Sequence, residues 1–414
     1  MTPRTWATVV LVVLLAALAV VAGLLVPWHR PPAPRADQIA ALAELPADKV
    51  ARARAYHGAL RWVAYPSMVI GLAAALLLGL TPLGAKIVGL VPGPWWVQAV
   101  GGGLLVVFLA DIVTLPLSAV GHTISVRYGL STQGWGAWFT DLLKGYAIGA
   151  VLGAIVLFLF FGLTRLAPNW WWAWAAAGAA GLVVLMTFVF PVLVEPVFNK
   201  FTSMPDSPLR ERIVTMAAAD GVPVKDVLVA DASRRTRAVN AYVSGLGPTR
   251  RVVVYDTLLT EAPDDEVVSV VAHELGHAKR NDVGIGTLIG AFGSAAMVIV
   301  LYLLGGWAPL LRRAGVESIA DPRAIGLLLA IGSVAGLLAG PVQAYVSRAI
   351  EARADEHALE VTNDPATFDR MQQRLALVNL GDPDPPAWEQ FLFGSHPTTV
   401  ERIAAARAYA REHP

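Results

Sequence analysis

The chain of 414 residues contains no cysteine. Disulfides, thiol nucleophiles and thiolate-bound metal are therefore excluded, and any metal centre must draw on histidine, aspartate or glutamate. Charge is also scarce. Only 15% of residues are Asp, Glu, Lys or Arg, and the net charge is +1, so no broad field points to nucleic acid. Histidine occurs eight times. What is abundant is apolar: 56% of residues are hydrophobic, and mean hydropathy is +0.56. Such a chain is neither disordered nor an ordinary soluble globule. Its charges concentrate in residues 201–282 and 347–414, so the composition reads as a polar part set into a membrane part.

A helix needs about 20 apolar residues to cross a bilayer core. Five candidates precede the first polar block, at about Trp6–Trp28, Leu60–Leu80, Trp96–Val120, Tyr146–Leu166 and Trp171–Val194. Two more, Val283–Trp307 and Ala324–Val346, separate the polar blocks. Tryptophans flank many of these runs, as an interfacial belt requires. The first run exceeds the 7–15 apolar residues of a signal peptide, so it reads as a retained helix. Two intervening spans place both polar blocks on one side. The loops on that side carry Arg30, Arg35, Lys49, Arg52, Arg54, Arg127 and Lys144. The opposite side holds Arg4, Lys86, Arg165, Arg312, Arg313 and Arg323, so a modest positive-inside bias puts the polar blocks in the cytoplasm. Asp111 and His122 near the third span are candidates for a membrane-embedded polar site.

The first polar block reads as mixed structure, with short strands at Val227–Ala230, Ala238–Ser244 and Val252–Tyr255 and turn signals at Gly245 and Gly247–Pro248. A helix is expected from Pro263 to Arg280, acidic at its start and basic at its end. It contains His273-Glu274-Leu275-Gly276-His277. Residues i and i+4 share a helix face, so both imidazoles can reach one ion. Glu274 is rotated off the first of them by about 100°, beside the ion rather than on it. There it can accept a proton from a water whose pKa zinc lowers to about 7. Gly276 leaves room for a close neighbour. A third ligand is expected from Glu351 and Asp355, which also stand one turn apart. Such a pair reads as a ligand plus a carboxylate that orients an imidazole. The longer Glu351 side chain reaches an ion on a neighbouring helix more readily. His396 and Arg402 are candidates to stabilise a developing oxyanion. The strand near Asn240 is a candidate to pair with an extended peptide. Asp382–Pro386 reads as a loop and Ile403–Arg411 as a short helix.

These segments together resemble the type I CAAX prenyl protease family of integral-membrane zinc metallopeptidases. The resemblance rests on Glu195-Pro-Val-Phe-Asn-Lys-Phe-Thr202, on Asn240-Ala-Tyr-Val-Ser-Gly245 followed by Arg251–Leu259, on Ser347–Asp355 and on Ser395-His-Pro-Thr-Thr-Val-Glu-Arg402. It implies a mainly α, polytopic fold of about seven membrane helices forming an α-helical barrel or chamber. A small α+β zincin-like domain would cap it on the cytosolic side. The expected organisation is membrane helices one to five in 1–200, metallopeptidase parts in 201–282 and 347–414, and helices six and seven in 283–346. The resemblance further implies one Zn2+ held by His273, His277 and Glu351, with Glu274 as general base and Asp355 supporting a ligand. His396 and Arg402 would contact substrate or transition state, and Asn240 would bind substrate. The implied reaction is endopeptidase cleavage of a peptide or protein, including a prenylated C-terminal peptide, at the lipid bilayer. Two other readings are a broad-specificity quality-control protease of the membrane and a non-catalytic receptor or transporter with a structural metal. A structural zinc site is closed by four protein ligands. Only three can be placed here, beside an acid suited to base catalysis, which favours the enzyme.

Overall fold

The computed structural model describes residues 1–28, 32–245, 247 and 250–413; Arg30 and Pro248, named above, lie outside them. Among the described residues, seven helices are long and apolar enough to cross a membrane. They are Pro3–Leu25, Ala47–Gly79, Trp95–Ile112, Trp135–Leu166, Trp171–Phe198, Asp282–Leu304 and Pro322–Thr362. Their outward faces carry large apolar side chains such as Val12, Leu77, Val151, Leu185 and Leu338, the surface that lipid accepts and water does not.

The helices of the third and seventh spans differ in extent from the apolar runs that mark them. The third ends at Ile112, and a separate helix runs over Leu115–Arg127. Pro116 sits in the first turn of that second helix, where its missing N–H costs nothing. The helix of the seventh span does not stop where its apolar run ends near Val346. It continues as one helix of 38 residues, Ile325–Thr362. At 1.5 Å per residue that is about 57 Å, enough to cross a ~30 Å core and project about five turns beyond it. The projecting turns carry Glu351 and Asp355, so the last membrane helix delivers both carboxylates itself.

Glycines set a close contact between two spans. A Cβ on Gly79 of the second span would lie 2.3 Å from the carbonyl oxygen of Gly326 in the seventh, and one on Gly326 would lie 2.4 Å from the carbonyl oxygen of Leu78. Backbones approach this closely in membranes only across small residues.

The first polar block builds a four-stranded sheet of order β1-β2-β4-β3. The strands are β1 Phe201–Ser203, β2 Asp226–Ala230, β3 Ala241–Ser244 and β4 Arg251–Tyr255. β2 and β4 run parallel, while β1 and β3 are antiparallel edges. The three-residue β1 is too short to show a pattern in sequence. β3 begins at Ala241, not Ala238, because side chains take the preceding backbone groups. Asn379 Oδ1 accepts from the Val239 N–H and Asn379 Nδ2 donates to the Val239 carbonyl, while Thr236 Oγ1 accepts from the Ala238 N–H. The helix Asp264–Lys279 packs Val267, Val270, Val271 and Leu275 into one core with Ile213, Val252, Val254, Phe368 and Met371.

Candidate metal centre

The helix Asp264–Lys279 presents His273 and His277 on one face, and the projecting turns of the seventh span bring Glu351 against them. Nε2 of His273 lies 3.2 Å from Nε2 of His277 and 3.2 Å from Oε2 of Glu351. Nε2 of His277 lies 3.6 Å from Oε1 of Glu351. Two ligands bound ~2.0–2.2 Å from one tetrahedral zinc stand ~3.3–3.6 Å apart, so these spacings fit a shared ion. Oε2 of Glu351 is buried without a hydrogen-bond partner. A carboxylate oxygen is rarely buried unsatisfied unless something else takes its charge. The donor set of two imidazoles and one carboxylate fits zinc.

The other ring nitrogens are held. Nδ1 of His273 lies 2.8 Å from Oδ1 of Asp355. Nδ1 of His277 lies 2.9 Å from Oδ2 of Asp282. A carboxylate at Nδ1 fixes the proton there and turns the Nε2 lone pair toward the shared position. Burial works against positive charge on the His273 ring, but Asp355 and Glu351 outweigh it and push its pKa up. The same negative surroundings favour a cation at the centre. Burial pushes the Glu274 carboxyl up, with Glu351 adding to the rise and the two imidazoles opposing it.

His273, His277, Glu274 and Glu351 line one cleft of about 450 Å3, together with Asn240 and His396. Asn240 immediately precedes edge strand β3, and its carbonyl accepts from the Tyr255 N–H at 3.0 Å. His396 occupies the loop before the last helix, with Nε2 3.5 Å from Oε2 of Glu351. Arg402 does not line the cleft. It lies behind Asp355, its Nε 2.8 Å from Oδ2 and its Nη2 on Oδ1. Gly276 has the close neighbour that its size allows: a Cβ there would lie 3.0 Å from Cδ2 of His357. Asp111 and His122 are not among the cleft residues; His122 stacks on Trp138 instead. Sequence reasoning missed Asp282. It falls five residues beyond His277, off the helical spacing, and reaches back because Asn281 turns the chain in the left-handed region (φ 54°).

Seven apolar spans and a triad able to hold a metal ion fit a membrane-embedded metalloprotease. The family model of peptidase family M48 matches residues 203–410, and that of the CAAX prenyl protease N-terminal region, five membrane helices, matches residues 26–200. The chain belongs to peptidase family M48, with the membrane region of the CAAX prenyl proteases. An uncharacterized metalloprotease of Bacillus subtilis (strain 168), YhfN, is 30% identical over 75% of this chain and 74% of its own length. A CAAX prenyl protease 1 homolog of Oryza sativa subsp. japonica is 32% identical over 72% of this chain and 71% of its own. The crystal structure of S. mikatae Ste24p superposes with a TM-score of 0.78 at 21% identity, covering 97% of this chain and 98% of that one. The fold is thus mainly helical, with membrane helices around a chamber and a small sheet in the capping domain.

Proposed function

We propose that this chain is a zinc metalloendopeptidase whose metal is held by His273, His277 and Glu351. The observation that carries this reading is the orphaned Glu351 oxygen facing two imidazoles, each already held at Nδ1 by a carboxylate. When bound, zinc supplies a Lewis acid and lowers the pKa of its water to about 7. The rest falls to the protein. Glu274 lines the cleft beside the ligands, is not one of them, and takes the proton from the attacking water. Its raised pKa suits it to hold that proton and return it to the leaving amine. The free edge of β3, which starts just past Asn240, aligns an extended peptide by main-chain hydrogen bonds. His396, at the cleft wall, stabilises charge developing on the scissile carbonyl. Arg402 acts through Asp355, which it grips with two nitrogens.

The substrate class is a peptide entering from the membrane chamber, extending to prenylated C-terminal peptides. Support for the prenyl group comes from the names of relatives such as the rice homolog. The catalytic side is cytoplasmic, on the strength of Lys49, Arg52, Arg54, Arg127 and Lys144 in loops of that side.

Glu274→Gln tests the mechanism. The variant keeps its zinc and loses turnover by ~10²–10⁴-fold, the usual contribution of a general base. Removing metal with a chelator abolishes cleavage in the unmodified protein, and zinc restores it. Near-normal cleavage by the variant would sink the proposal. Matched peptides with and without a prenyl group, compared by kcat/KM, test the substrate class.

A further inference from the structure

We propose that Asp282 and Arg353 are positioning residues: they set the ring of His277 and tie the metal centre to the end of the first membrane helix. This rests on the metal-centre reading above. His273 has a carboxylate and an arginine behind it, Asp355 and Arg402. His277 has the same arrangement built from different elements. Asp282, the first residue of the sixth span, places Oδ2 2.9 Å from Nδ1 of His277. Nη2 of Arg353 contacts the other oxygen of Asp282. Both side chains are largely enclosed, 8% and 14% exposed. Charge pairs withdrawn from water are held more rigidly and are screened less than surface pairs.

Arg353 continues the chain of contacts. Its Nη1 donates to the carbonyl of Leu25, 3.3 Å away. Leu25 is the last residue of the first span, and the closing turn of a helix leaves carbonyls without an intrahelical partner. Arg353 also stands between Glu351 and Asp355 on one helix. That helix therefore supplies a ligand and, through the residues two and four positions later, the support of each imidazole. An acidic residue in the first turn of a helix needs no such partners to favour the helix dipole. What points to positioning is the division of one carboxylate between a ligand imidazole and a guanidinium anchored on another span.

The test measures zinc affinity of the purified full-length chain by competition with a chelator of known affinity, alongside the absorption spectrum of the cobalt-loaded protein. Asp282→Asn and Arg353→Ala are each expected to weaken zinc by ~10–100-fold, the usual effect of losing an outer partner. They are also expected to shift the cobalt bands. The double variant should be no weaker than the weaker single, because both act through one contact chain. Arg353→Lys keeps a charge for Asp282 and should recover part of the affinity. It also carries the test should Asp282→Asn fail to fold. Zinc affinity within twofold of the unmodified protein in folded Asp282→Asn or Arg353→Ala overturns the inference, as does additivity in the double variant. In that event Glu351→Ala still loses zinc, and the metal-centre reading survives. An unmodified chain that binds no zinc would overturn both.

Discussion

Two carboxylates stand one helical turn apart at Glu351 and Asp355, and periodicity alone treats them alike. Their surroundings do not. Glu351 keeps a buried oxygen without a hydrogen bond, whereas both oxygens of Asp355 are taken by Arg402. Glu351→Ala should therefore release most of the zinc, while the protein stays folded. Asp355→Ala should weaken zinc by ~10–100-fold. It should also lower stability by about 3–5 kcal/mol, because it strands a buried guanidinium. Asp355→Asn retains an acceptor and should cost less. Glu360 is exposed on another face of the same helix, so Glu360→Ala serves as the control for both quantities. Metal content and chemical unfolding of the four variants check this. Full zinc occupancy in Glu351→Ala with an empty Asp355→Ala site would reverse the two roles.

At the scale of elements, the seventh span ties the membrane to the chemistry, because it is continuous from Ile325 to Thr362. Its seat against the second span depends on backbone contact at Gly326. A methyl group there meets the Leu78 carbonyl at 2.4 Å, and neither partner is a flexible side chain. Gly326→Ala should force the two spans apart and lower the unfolding temperature in detergent, by an amount equivalent to ~1–3 kcal/mol of overpacking. On the same helix, Gly332 and Gly336 have open space where a Cβ would stand. Gly332→Ala and Gly336→Ala should be neutral or stabilising by up to ~1 kcal/mol, since alanine is the better helix former. Equal melting temperatures for Gly326→Ala and Gly332→Ala would refute the contact argument. The smaller Gly276 contact with His357 is of the same kind, and His357 has little freedom to yield because Asp220 holds its Nε2 at 2.9 Å.

Across the whole molecule, segments distant in sequence close around the centre. The loop after the first span forms a helix, Arg35–Glu44, whose Ala41 packs, with Leu45 just past its end, against Val400 and Ile403 near the carboxyl end. Arg407 on Glu44 and Arg411 on Asp37 reinforce the contact. Arg235 in the first polar block grips Asp141 at the start of the fourth span. These contacts require the polar blocks and the loops after the first and third spans to share one side of the membrane. The absence of cysteine makes the point easy to test. Single cysteines at Asp206 and Glu412 should react with an impermeant thiol reagent from the same side, and one at Glu317 from the other. With the proposed orientation, the first two label only from the cytoplasm. Reaction of all three from one face would contradict the two-span return.

Much of this protein was legible in its amino-acid sequence because the relevant physics is local. Apolar run length marks membrane helices wherever they occur, so the number of spans follows from composition along the chain. Helical periodicity aims His273 and His277 at one point and turns Glu274 aside without reference to any other element. Local rules fail where the partner is remote. Nothing near Ala238 announces that Asn379 will take the Val239 backbone and delay β3 to Ala241. Nothing near Val346 announces that the last span runs on to Thr362. Nothing near Arg402 announces that its guanidinium will pair with Asp355. Asp282 reads as a helix start until Asn281 reverses the chain and returns it to His277. Helical and apolar periodicities are properties of neighbours in sequence. Which carboxylate supports which imidazole depends on contacts between elements up to hundreds of residues apart, and only the packed structure decides it.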